Sequence, residues 1–251
     1  MYKKISHNIV EEHFAHPAII PKNVMAGTGG EMPPYIPYKP PYIAPLRVGE
    51  PLPSYVMNEN TMQFRMDSRS AWMKWAYSLM NYAISLNGNL PGTDQVKGRM
   101  HKNAVAIGDF LIPYYGVTAS TAISTALIAI DDIGMHYVEA MKNKRPQSEI
   151  DAIAKTWDPY IADLAKLLNE LNPTNWPTSL LTDILSNLVL AWQSQLTARA
   201  KGDIIADEMA IDRINKLVVT GVPDHLKQGF QSLADLFSRG VIAQFPALFA
   251  E

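Results

Sequence analysis

The feature that most constrains this chain is where its prolines fall. Ten of its 18 prolines lie in the first 60 residues, together with five of its 11 tyrosines. The densest stretch reads Met32-Pro-Pro-Tyr-Ile-Pro-Tyr-Lys-Pro-Pro-Tyr-Ile-Ala-Pro45. Proline fixes φ, lacks an amide donor and drives the residue before it to extended geometry. Neither a helix nor a sheet ladder can run through such a stretch, so a polyproline-like arm is expected. Gly27-Thr-Gly-Gly30 is a flexible joint within it. No strand precedes these glycines and no helix follows, so they are not a phosphate loop.

From Asp67 onward the pattern becomes helical. Between Ser68 and Leu86, residues Trp72, Trp75, Ala76, Leu79, Met80, Ala83 and Ile84 share one face, at the spacing of an amphipathic helix. Asn87-Gly-Asn-Leu-Pro-Gly92 ends it, and Thr93 or Asp94 is placed to cap the next. That second helix runs to about Tyr115, with Pro113 near its end. A third, from about Thr118 to Lys142, is rich in Ala, Ser and Thr, which lets neighbours approach closely. Pro146 to Leu171 reads as a fourth, bent or interrupted at Pro159. Asn172-Pro-Thr-Asn-Trp-Pro177 is a stop and a restart, with Pro177 suited to a first helical turn. The following helix carries Leu181, Ile184, Leu185, Leu188, Trp192 and Leu196 in one stripe to Lys201, with Gly202 at its end. Asp203 to Val219 is another, broken at Thr220-Gly-Val-Pro223. Asp224 caps a last helix that ends before Pro246. No run of strand alternation is found. The expected fold class is all-α: a multi-helix bundle of four-helix type over residues 67–251, preceded by an extended Pro/Tyr-rich arm over residues 1–66.

Composition excludes several functions. The chain is 47% apolar and 18% charged, as a globular protein is. It has no cysteine, so disulfide scaffolds, thiolate metal sites and cysteine catalysis are excluded. Its 22 basic and 24 acidic residues lack the basic excess of a nucleic-acid binder. The stretch from Met1 to Glu12 has no apolar core suited to a signal peptide, so an intracellular rather than secreted protein is expected. The uncharged run from Phe110 to Ile130 is long enough to cross a bilayer. It holds Pro113, Tyr114, Tyr115 and Gly116 and leads into Asp131 and Asp132. Two helix ends meeting at a loop fit this better than a membrane span.

Catalytic signatures are missing. No Glu has a His three residues later, as a di-iron bundle needs. No Gly-x-Ser-x-Gly, Walker A or His-Glu-x-x-His sequence occurs. His13 and His16 lie near Glu11 and Glu12, in a loose arrangement better read as solvated. Asp132 and His136 are four apart on one helix and, with His101, are the least implausible metal ligands. Asp131-Asp132 and Asp207-Glu208 are adjacent acidic pairs, expected on solvated faces because neighbours on a helix diverge. The tryptophans are expected in the core. Tyr35, Tyr38 and Tyr42 have no helix face to join. With Pro33, Pro34, Pro37, Pro40 and Pro41 they form the expected partner-binding segment, since aromatics beside fixed prolines lose little entropy on docking. The alternative is a disordered linker.

Six motifs occur in order: Leu90-Pro-Gly-Thr-Asp94, Ala106-Ile-Gly-Asp109, Pro113-Tyr-Tyr-Gly116, Asn172-Pro-Thr-Asn-Trp-Pro177, Ala198-Arg-Ala-Lys-Gly-Asp203 and Gly240-Val-Ile-Ala-Gln-Phe-Pro246. On these motifs the stretch from about Ser70 to Phe245 resembles a family of small helical-bundle proteins of bacteria and large DNA viruses, often misnamed glycosyltransferase or acetylglutamate kinase. The family carries inward-looking polar residues where Trp75, Ala106, the Ile130 region and Leu188 stand in this chain. The resemblance therefore implies that apolar packing replaces any site there. It also implies that the arm and the extra length around Val218 to Asp224 are additions.

These readings lead to one expectation. The chain is a non-enzymatic structural protein without cofactor, a minor capsid component of a large DNA virus. Its partners are other protein subunits, capsid proteins among them, met by the arm in the virion. No nucleic acid and no membrane is involved. The alternative is a bundle binding a metal or small ligand through Asp132, His136 and His101.

Overall fold

The computed structural model describes residues 58–223 and 230–249. The expected partner-binding segment from Pro33 to Tyr42, together with His7, His13, His16, Asp224 and His225, lies outside the described residues. Within them the fold is all-α, apart from a short antiparallel pairing of β1 (Val222–Pro223) with β2 (Phe230–Gln231).

The first helix, α1 (Glu59–Ala76), starts eight residues before the Asp67 at which the apolar pattern begins. Asn58 accounts for the early start. Its Oδ1 accepts from the Thr61 amide at 2.9 Å, and Thr61 Oγ1 accepts from the Asn58 amide at 3.0 Å. This reciprocal box satisfies two donors of the first turn. Asn58 Nδ2 also donates to the Phe249 carbonyl at 2.5 Å, which pins the 3-10 turn Pro246–Leu248 against the start of α1. Asn58→Ala is expected to cost about 1–2 kcal/mol, read as a lower urea midpoint with unchanged slope.

Tyr77 joins α1 to α2 (Ser78–Asn87) with helical dihedrals, and the two helices bury Trp72, Trp75, Ala76, Leu79 and Ala83 as expected. Ile84, expected on that face, is 38% exposed. Gly92, not Thr93 or Asp94, stands at the N-cap of α3 (Thr93–Lys142), with φ at 91°.

The span of α3 holds two helical limbs, because the chain reverses at Gly116, where φ is 78° and ψ 171°. The reversal is required by the contacts. His101 Nε2 and Asp132 Oδ1 are 31 residues apart in sequence and 2.9 Å apart in space. A straight helix would hold them about 46 Å apart. The positive φ suits glycine, and Pro113 sits in the turn before it. The two limbs, 93–115 and 117–142, pack as an antiparallel hairpin. Gly108 lies against the Ser120 carbonyl and Ser124 Oγ, with no room for a methyl group. This is the close approach that the Ala/Ser/Thr-rich limb anticipates. By length and hydropathy alone α3 passes for a membrane span, but the fold-back divides it.

The next helices are α4 (Gln147–Lys155) and α5 (Trp157–Leu171), and Thr156 between them breaks the run three residues before Pro159. A proline ring clashes with the carbonyl four residues earlier. Here that is Lys155, so the break falls before the proline. The turn at Asn172–Pro177 leads into α6 (Thr178–Lys201), whose stripe from Leu181 to Leu196 is buried throughout. Gly202, at φ 71°, closes it, and Asp203 Oδ1 caps α7 (Ile204–Asn215) through the Ala206 amide at 3.0 Å. A π-helical turn, Lys216–Thr220, follows α7. The cap of α8 (Leu233–Gln244) is Ser232, bonded to the Asp235 amide at 3.1 Å, so this last helix starts nine residues beyond the expected Asp224.

All five tryptophans are buried. A run of touching rings crosses the body: Phe110, Phe64, Tyr114, Phe245, Tyr115, Trp176, Phe237, Trp72, Trp75 and Trp192, with neighbouring centroids 4.6 to 5.8 Å apart. Such edge and stacked pairs add to the burial of large apolar area. Polar tips of the rings are mostly paired. Trp157, Trp176 and Trp192 donate to the carbonyls of Ile130, Leu236 and Ala76 at 3.1, 3.1 and 2.9 Å.

Candidate interaction surface

Three of the motifs meet at one knot. Asn172 Nδ2 donates to the Gly240 carbonyl at 2.9 Å and to Tyr115 Oη at 3.3 Å. Tyr115 Oη donates to Gln244 Oε1 at 2.6 Å, and Gln244 Nε2 to the Leu171 carbonyl at 3.1 Å. Burial pushes the Tyr115 phenol well above its ordinary range. Gly240 lies under Trp176 so closely that a methyl group there would overlap the indole. The knot ties the tip of the α3 hairpin to the ends of α5 and α8. Every polar group in it has a partner, so its role is to hold the fold.

The expected metal ligands do not assemble. His101 and Asp132 pair at 2.9 Å, while His136 is exposed one turn beyond Asp132 and does not join them. Among the described residues no three His, Asp or Glu side chains come together as a metal site would require. Asp207 accepts from Arg199 Nη2 at 2.6 Å and from Gln195 Nε2 at 3.2 Å, so it ties α7 to α6 rather than lying solvated beside Glu208.

Asp131 also departs from the expected solvated face. It is 5% exposed, and its Oδ2 has no hydrogen-bond partner; neither has Trp75 Nε1. Burial raises the carboxyl well above its ordinary value; the Trp75 N–H opposes this and neighbouring Asp132 adds to it. Trp75, Ile130 and Leu188 are buried in the core, whereas Ala106 is exposed and Asp131 places a carboxyl inside beside Ile130.

The surface feature without an internal explanation is on α7. Its inward face is Ala210 and Ile214, 5% and 1% exposed. Its outward face carries Ile204, Ile205 and Met209, at 71%, 74% and 68%. Ile205 and Met209 are one turn apart, and Ile204 adjoins them. Single exposed apolar residues are ordinary, but here three large ones are grouped on one helix. Glu208 and Asp212, both exposed, share this face. Sequence reasoning assigned no apolar face to this helix; the signal was the surplus of apolar residues beyond Ala210 and Ile214. Comparison with known protein families, curated proteins and solved structures finds no match to this chain.

Proposed function

We propose that this protein is a non-enzymatic structural component that docks on other protein subunits. The observation that carries this reading is α7, apolar on both faces, with Ile204, Ile205 and Met209 facing out of a body whose core is already filled with aromatic rings. Glu208 and Asp212 suit a partner surface with an apolar centre and basic rim. The Pro/Tyr-rich arm is a second attachment to such partners. The setting, a minor capsid position in a large DNA virus, rests on the family resemblance alone.

The test is incorporation into the native particle, or coassembly with the capsid proteins. The double variant Ile205→Glu, Met209→Glu changes exposed side chains only, so its unfolding free energy should stay within about 0.5 kcal/mol of the parent. Incorporation should fall at least tenfold. Incorporation at the parent level would remove α7 from the interface and the reading with it. A metal-binding bundle has the His101–Asp132 pair in its favour. Saturable zinc binding that His101→Ala abolishes would establish that reading instead.

A further inference from the structure

The outward face of α7 lies beside a recess. Asp207 holds Arg199 near the turn between α6 and α7, and Arg213 reaches Asn187 farther from it, so the two helices run antiparallel. Along them is a hollow of about 400 Å³ lined by Tyr137, Leu190, Ser194, Thr197 and Ala206. Tyr137 is buried, whereas Leu190 is 50% exposed. Ala206 lines the hollow, and Ile205 and Met209, its neighbours on the helix surface, stand out into solvent. A projecting apolar pair and a hollow therefore lie side by side on one body.

The charges on this surface have a direction. Lys201, exposed, borders the hollow at the N-terminal end of α7. Glu208 and Asp212, exposed, stand on its C-terminal half. Other charges here are engaged: Asp203 caps the Ala206 amide, Asp207 holds Arg199, and Arg213 donates to Asn187 Oδ1. Lys216 lies beyond, on the π-helical turn. Two α7 helices laid parallel would set Glu208 and Asp212 against their own counterparts, and like charges face to face are costly. Laid antiparallel, they set Ile205 against Met209 and bring Lys201 to Asp212. The surface that suits Glu208 and Asp212, apolar at its centre and basic at its rim, is thus present on this protein itself.

We propose that the partner of the α7 face is a second copy of this chain, docked about a two-fold axis with the two α7 helices antiparallel. This inference rests on the docking role of α7 and names its partner. Ile205 and Met209 of each copy seat in the other's hollow, beside Leu190, and Lys201 of each meets Asp212 of the other. A two-fold axis uses the same patch on both copies, so adjacent projection and hollow are filled together and the assembly closes as a dimer. Few large apolar side chains take part, so the interface is at the small end of the size range, with a dissociation constant of about 1–100 µM.

The test is sedimentation velocity of the full chain across and beyond that concentration range. A monomer–dimer equilibrium is expected, and Ile205→Glu with Met209→Glu should weaken it at least tenfold. Lys201→Asp and Asp212→Lys should each weaken it several-fold, and their combination should recover most of the loss. The chain has no cysteine, so direction can be read by crosslinking. A mixture of Ile205→Cys and Met209→Cys proteins should form a disulfide-linked dimer on mild oxidation, faster than either variant alone. A dimer indifferent to Ile205→Glu, Met209→Glu, a charge exchange that recovers nothing, or crosslinking no faster in the mixture would each overturn the proposal. So would a monomer at every concentration. In that case, loss of particle incorporation by Ile205→Glu, Met209→Glu would leave the docking role standing with a different protein as partner, whereas unchanged incorporation would remove both.

Discussion

Replacing Gly108 by alanine is expected to destabilise the body by about 3 kcal/mol, the upper end of ordinary overpacking costs. Replacing Gly98 by alanine, on the same limb of α3, is expected to stabilise it by about 0.5–1 kcal/mol. The substitution is identical and the helix is the same, so propensity cannot produce opposite signs. The difference is what a methyl group meets. At Gly98 it meets nothing within 4 Å. At Gly108 it meets Ser124 Oγ and the carbonyl oxygen of Ser120. The serine can rotate, but the carbonyl belongs to the opposite limb's backbone and moves only if the hairpin opens. Ser124→Ala should therefore recover only part of the loss. Urea denaturation of the two single variants and of Gly108→Ala with Ser124→Ala decides the matter. Full recovery in the double variant would mean that the limbs are not held at backbone contact.

The second large effect is one of pH. Asp131 is buried, lacks a partner for Oδ2, and has its carboxyl raised well above the ordinary range. The folded state therefore holds a proton that the unfolded chain releases near pH 4. More protons are bound when folded, so this residue's contribution to stability falls as pH rises. The loss begins near the unfolded value and ends once the folded value is passed. Asp131→Asn removes the titration while keeping the size of the side chain. At pH 4 the variant should match the parent. At pH 7 it should be more stable by about 1–3 kcal/mol, the cost of a buried polar group left unsatisfied. For a body of this size that is a rise of about 2–4 °C per kcal/mol. Thermal midpoints of both proteins between pH 4 and pH 8 test this. A gap that stays constant with pH would mean that Asp131 is ionised in the folded state throughout.

Much of the helical plan was legible because the apolar stripes are long. The six stripe positions on α6, all buried, define its inward face. The reversal at Gly116 was legible because Pro113 and Gly116 fall together inside one uncharged run, as a helix end and a turn do. The start of α1 was not, because Glu59-Asn-Thr-Met-Gln-Phe64 buries only Thr61 and Phe64, too few to show a period. The cue there was the Asn58 cap, which depends on one side chain rather than on a pattern. Nor could neighbouring identical residues be told apart. Asp131 and Asp132 differ by one helical step, yet one faces the core and the other meets His101.

The bond from Asn58 to the Phe249 carbonyl has one more consequence. The described body begins and ends at a single corner, so its path is nearly a closed ring. A circular permutant could join Phe249 to Asn58 and open instead at Asn143–Arg145, an exposed turn where Lys144 takes a positive φ of 50°. Such a chain keeps every helix and both limbs of the hairpin, because the new ends fall where little is packed.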